Sequence, residues 1–197
     1  VIVNIVVEGR SDEGAAGRLI EHAGHTVGRI IDKRGKTNLD PDIAKYNIAA
    51  HHGAWAVFRD TDSACPVELR QRLTAGIETY APNFRLRLAH SMTEAWLLAD
   101  VSSFSSFFHV SAARITRDPD DLPHAKREVL RLCANSRSRE IRRSMVAEDG
   151  DTGPLYVNMI NEFARSHWNI DEASQLSPSL RRALASLRTI GQALPTS

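Results

Sequence analysis

Val1-Ile2-Val3-Asn4-Ile5-Val6-Val7-Glu8-Gly9-Arg10-Ser11-Asp12 is the stretch that decides the fold. Its first seven residues are β-branched and apolar except for Asn4, a pattern that predicts a central strand buried on both faces. Gly9 permits a sharp turn. Ser11 is placed to cap a helix whose first turn holds Asp12 and Glu13, where the helix dipole favours acids. Leu19, Ile20 and Ala23 supply that helix's apolar face, and Gly24 ends it. A second strand, Ala54-Trp55-Ala56-Val57-Phe58, runs in the same way into Asp60-Thr61-Asp62.

Outward from these two stretches the pattern repeats. Thr26 to Ile31 reads as a strand, followed by the basic loop Lys33-Arg34-Gly35-Lys36. Asp40-Pro41 starts a helix with proline at its first position. Pro66 opens a helix from Val67 to Tyr80, with Leu69, Leu73 and Ile77 at helical spacing. Phe84 to Ala89 alternates as a half-exposed strand, and Thr93 to Asp100 starts another helix. Strands alternating with helices over residues 1–100 predict an α/β fold with a mainly parallel sheet flanked by helices. Past Val101, the serines and phenylalanines of 102–108 form a soft transition, and from Pro123 only short helices are expected. Residues 1–110 are therefore expected to form the α/β catalytic core, with 111–197 a helical extension packed on it.

At 197 residues, 42% hydrophobic and 25% charged, the chain has the composition of an ordinary globular domain. Its formal charge of +1 argues against an obligately basic nucleic-acid coat, though not against local patches. Cys65 and Cys133 make no CxxC spacing, which excludes a zinc knuckle or disulfide scaffold and points to a reducing cytoplasm. The adjacent His51 and His52 would point about 100° apart on a helix and read as surface residues at its end. No apolar run approaches the ~20 residues of a membrane span, and the apolar start ends in acids, as a strand rather than a signal peptide does.

The chemistry lies in the acids. Glu8 and Asp60 each follow a buried strand, and ligands bind at the carboxyl ends of strands in open parallel sheets. Asp12 follows Glu8 by about one helical turn, and Asp60 and Asp62 would share a face if their segment is extended. Carboxylates brought together repel, raise one another's pKa, or bind a hard cation such as Mg²⁺. Each motif alone has a plain alternative: Asp12 as a helix-dipole partner, DxD as a turn. Their conjunction, in order and one βα unit apart, points to a divalent-metal site.

These motifs resemble the Toprim domain of topoisomerases, primases, recombination proteins and overcoming-lysogenization-defect (OLD) nucleases. Ser91-Met92-Thr93-Glu94-Ala95-Trp96-Leu97-Leu98-Ala99-Asp100 resembles a signature of the small stand-alone Toprim-like proteins of the bacterial family DUF4276. So do Gly153-Pro154-Leu155-Tyr156, Phe163, Trp168 and Ser177-Pro178-Ser179-Leu180. The resemblance implies that Glu8 acts as acid/base or first metal ligand, that Asp60 and Asp62 bind Mg²⁺ or Mn²⁺, and that Glu94 and Lys126 complete the site. Glu94 could equally be a first-turn acid, and Lys126 a solvated residue of a basic segment. No tyrosine-bearing or zinc-binding domain is present, against topoisomerase and primase activity.

Lys126, Arg127, Arg131, Arg137, Arg139, Arg142 and Arg143 outweigh Glu128 and Glu140 between residues 126 and 143. Together with Lys33, Arg34 and Lys36 they could track phosphates, or simply be solvated. Three functions follow as expectations. The first is a metal-dependent Toprim nuclease cutting DNA or RNA. The second is a regulatory or effector subunit of an ATPase partner in a bacterial defence system, since OLD-like modules are often paired with ATPases and this chain has no GxxxxGK[ST]. The third is a DxD-dependent transferase or phosphatase on a small phosphorylated substrate.

Overall fold

The computed structural model describes residues 1–62, 64–89 and 93–192. Four strands, β1 (Ile2–Val7), β2 (Thr26–Asp32), β3 (Ala54–Asp60) and β4 (Phe84–Ala89), form one parallel sheet in the order β2-β1-β3-β4. The predicted α/β class is thus observed. Side chains alternate across β1 and β3 as the pleat requires. Val3, Ile5, Val7, Ala56 and Phe58 enter one core, while Val6 and Val57 enter a second core on the opposite face. Asn4, the one polar residue of β1, accepts a hydrogen bond from the Arg29 amide at 3.0 Å, where the β1–β2 register shifts.

The first core is covered by α1 (Glu13–His22), and the second by α2 (Lys36–Leu39) and α3 (Ile43–Ala49) with Leu73 of α4 (Pro66–Leu73). Three departures from expectation are local. Helix α1 begins after a 3₁₀ turn at Arg10–Asp12, so Ser11 does not cap it. Asp40-Pro41 opens a 3₁₀ turn, Asp40–Asp42, that leads into α3. Helix α4 stops at Leu73 rather than Tyr80, and Ile77 reaches the second core from a turn.

After β4 the described chain resumes in α5 (Thr93–Leu98), then α6 (Val101–Phe107), α7 (Ala125–Ala134), α8 (Arg139–Met145), α9 (Tyr156–Ser166), α10 (Ile170–Leu176) and α11 (Pro178–Leu187). The serine-phenylalanine stretch is helical: Phe104 and Phe108 are buried and ring-packed against Phe163 of α9. Helix α9 lies on α1, and α11 on β4, so the first core draws on both ends of the chain.

Several buried polar residues hold these helices together. Trp96 Nε1 donates to Ser179 Oγ at 2.7 Å, and Asp120 accepts from the Ser177 and Ser179 hydroxyls and the Ser179 amide. Asp100, fully buried, accepts from the Ser103 and Asn169 amides. Ser91 and the tail Pro195-Thr196-Ser197 lie outside the described residues. Among the described residues no helix is long and apolar enough to cross a membrane. His51 and His52 are exposed in the turn after α3.

Candidate metal centre

The strand order reverses between β1 and β3: β1 is followed by β2 on one side, and the chain then crosses back to β3 on the other. That switch point opens a crevice at the carboxyl ends of the two central strands. A cleft of about 410 Å³ lies there, lined by Glu8, Asp12, Asp60, Asp62 and Glu94 together with Asp32, Arg34 and Lys126. The five acids expected to bind metal therefore share one cleft, and Lys126 faces them from α7.

The acids divide into two layers. The inner layer is Asp12, Asp60 and Glu94, from three separate elements. Asp12 is buried, and its Oδ2 accepts from the Gly9 amide at 3.0 Å. Gly9 has φ −144°, an extended conformation open to any residue, so the turn uses its N–H and not its lack of a side chain. Asp60 keeps some surface open to the cleft, yet protein surrounds its carboxylate, and Oδ1 accepts from the Thr93 amide (2.9 Å) and hydroxyl (3.0 Å). Glu94 is buried in the first turn of α5, where Oε1 accepts from the Tyr156 hydroxyl at 2.8 Å.

Among the described residues every hydrogen-bond donor to this inner layer is neutral. Burial, then the Glu94 charge, pushes the Asp12 carboxyl up to about 7. Burial, then Asp12, Glu94 and Glu8, raises Asp60 well above the ordinary carboxylate range. The Tyr156 hydroxyl is raised in turn, by burial and by Glu94.

The outer layer is neutralised by arginine. Arg59, only 4% exposed, lies 3.3 Å from Glu8 Oε2, 2.9 Å from Asp40 Oδ1 and 3.1 Å from Asp62 Oδ2. Burial works against its charge, and the hydrogen bond to Asp40 with the three carboxylates more than offsets it, so its pKa is raised. Glu8 is raised by burial, which Arg59 only partly counters. Its Oε2 is buried without a hydrogen bond, because the contact with Arg59 has ion-pair distance but not hydrogen-bond geometry. Asp62 also accepts from Lys36 Nζ at 2.8 Å. The extended DxD geometry is not found: Asp62 has φ +50°, so Asp60 and Asp62 take different partners within the same cleft.

Among the described residues no three His, Cys, Asp or Glu side chains already stand together at coordinating geometry. The donor set nevertheless suits a hard divalent cation: all oxygen, with the inner acids destabilised by one another and Glu8 Oε2 unsatisfied. Asp62 already gives its Oδ2 to Lys36 and Arg59.

The cations expected on nucleic acid are dispersed. Arg34 lines the cleft, in a loop with φ +56° followed by Gly35 at φ +112°. Lys33 is paired with Asp42 at 2.6 Å, Lys36 with Asp62, and Arg131 with Glu128 at 2.5 Å. Arg127 is exposed on α7 and does not line the cleft. Lys126 Nζ lies 5.1 Å from the Tyr156 ring centroid, a cation–π contact at the cleft wall.

Three contributors escaped the sequence reading. Arg59 was the detectable one, as a charge inside an otherwise apolar strand one residue before Asp60. Tyr156 had no role without the fold. Asn161 donates to Arg10 O, and its Oδ1 accepts from the Gly14 amide at 2.5 Å, tying α9 to the turn that carries Asp12.

No protein-family model matches the chain, and no curated protein does. Among solved structures it is similar to the C-terminal region of the Xanthomonas campestris pv. campestris OLD protein, with 16% identity, 88% of this chain and 96% of that chain covered, and a TM-score of 0.36. Such an overlay is too loose to carry residue roles across.

Proposed function

We propose that the cleft performs divalent-metal-dependent phosphodiester chemistry, as a Toprim-type nuclease acting on DNA or RNA. The observation that carries this reading is the crowding of Asp12, Asp60 and Glu94, given only neutral hydrogen-bond donors among the described residues; burial, then the Glu94 charge, raises the Asp12 carboxyl. A proton or a doubly charged ion relieves that repulsion, and the all-oxygen set favours Mg²⁺ or Mn²⁺.

Glu8, Asp12, Asp60 and Glu94 would hold the ion. When bound, it supplies Lewis acidity toward a phosphoryl oxygen and lowers the pKa of water. The chain's own residues do the rest. Tyr156 and Thr93 fix the orientation of Glu94 and Asp60. Lys126 and Arg34, on the cleft wall, attract and position a phosphate and offset charge that develops on it. Glu8, whose pKa burial raises, is suited to exchange a proton at the cleft.

A second reading draws on Arg59. By occupying Glu8 and Asp62 it holds the outer half of the cleft closed to a cation, as expected of an effector that waits for an ATPase partner. The small-phosphoester transferase or phosphatase gains no such support, because Asp60 and Asp62 do not act as a pair.

Mn²⁺ titration followed by electron paramagnetic resonance, with supercoiled plasmid and RNA cleavage in Mg²⁺ and Mn²⁺, tests both readings. Wild type is expected to bind and cut, and Asp60→Asn to lose both. Binding without cutting moves the weight to the partner-dependent effector. No saturable Mn²⁺ binding at alkaline pH removes the metal reading.

A further inference from the structure

A second pocket of about 410 Å³ lies along the free edge of β4, between α4 and α11, and shares no lining residue with the carboxylate cleft. Arg87 of β4, Arg70 of α4 and Arg182 of α11 line it, and no carboxylate does. Among the described residues none of these arginines takes part in an ion pair. Arg70 donates to the Leu86 carbonyl at 2.8 Å, a neutral acceptor on the open strand edge. Arg87 Nε is buried and reaches no acceptor. Burial, then Arg70 and Arg85, lowers the Arg87 pKa to about 10, so its surroundings disfavour the charge.

Arg87 is half-buried, and its buried Nε has no acceptor at all, a gap that native proteins seldom leave without a reason. A guanidinium fork fits two oxygens of a phosphate, and the pocket volume is that of a small-ligand site. Val67, Leu88 and Ala183 give the pocket an apolar wall beside the cations.

We propose that this edge pocket binds the phosphate group of a nucleotide, with the half-buried Arg87 as the anchor, Arg70 and Arg182 flanking it, and the apolar wall against the sugar or base. A free nucleotide and a polynucleotide strand both offer this phosphate, and the recognition chemistry is the same. The pocket needs no metal, so its test is run in chelator and is independent of the cleft.

The full chain, Arg87→Met and Arg182→Ala are titrated in EDTA with inorganic phosphate, adenosine monophosphate and a short single-stranded oligonucleotide. Calorimetry and melting temperature are the readouts. Wild type is expected to bind phosphate saturably and to melt higher with it. Arg87→Met is expected to melt at or above the ligand-free wild type, because an uncompensated charge is gone, and to bind at least roughly tenfold more weakly. Arg182→Ala, at an exposed position, is expected to fold normally and weaken binding. A large preference for the oligonucleotide that Arg87→Met abolishes identifies a strand as the source, and equal affinity for the monophosphate identifies the free nucleotide. The proposal is overturned if wild type shows no saturable phosphate binding, or if Arg87→Met melts lower with its phosphate response intact.

Discussion

Arg59 Nη1 lies 3.3 Å from Glu8 Oε2, at the seam between the two central strands. The guanidinium, also bonded to Asp40 and Asp62, stands where a cation is needed to gather the outer carboxylates. Arg59→Met keeps the buried stem and takes the guanidinium from three acids, of which Asp62 retains Lys36. Breaking a buried pair in this way costs about 3–5 kcal/mol. The metal-free variant is therefore expected to unfold at markedly lower denaturant. Mg²⁺ is expected to restore more stability to it than to wild type. Urea melts with and without Mg²⁺ check this, and equal metal responses would contradict it.

The inner acids make a pH signature. Asp12 has an ordinary value of 3.8 when unfolded and about 7 when folded. Between these values the unfolded state ionises first, so the contribution of Asp12 to stability falls as pH rises from about 4 to about 7 and levels off above. Each tenfold difference in proton affinity between the two states is worth about 1.4 kcal/mol, so the loss amounts to a few kcal/mol. The melting temperature of the metal-free protein should therefore drop across this range. Asp12→Asn should flatten the drop, and added Mn²⁺ should raise the melting temperature more at about pH 8 than at about pH 5.

Tyr156→Phe removes one hydroxyl, the donor to Glu94. A hydrogen bond to a charged group contributes about 1.5–3 kcal/mol. Chemical denaturation should show a loss of that order without metal. With Mn²⁺ bound, Glu94 has another partner, and the difference between variant and wild type should shrink.

Gly14→Ala tests the joint between α1 and α9. A Cβ there would meet Asn161 Oδ1 at 2.7 Å, its carbonyl oxygen at 2.8 Å and its Cα at 2.9 Å. Two of these are backbone atoms that cannot step aside. Overpacking of this kind costs about 1–3 kcal/mol. Equilibrium unfolding should register it, together with weaker Mn²⁺ binding as the Arg10–Asp12 turn shifts.

What the sequence made legible was periodic or local. β4 has the predicted bounds because its alternation is regular, and Glu8 and Asp60 fall at strand ends because apolar runs stop there. The end of α4 was hidden: Thr74 Oγ1 turns back to the Arg70 carbonyl and the chain leaves the helix, although apolar spacing continues to Ile77. The split between Asp60 and Asp62 depends on a single left-handed residue that no side-chain pattern announces. Tyr156 and Asn161 were beyond reach for another reason. They act on residues 62 and about 150 positions away, and only the fold brings them near.

That separation sets a timetable. The acids emerge before the hydroxyl that steadies Glu94 and the amide that clasps Gly14, which belong to a helix made well after them. Contacts so distant in the chain form late and slowly. A nascent polypeptide still tethered to the ribosome thus carries the acids without the cover that shapes them until α9 has followed.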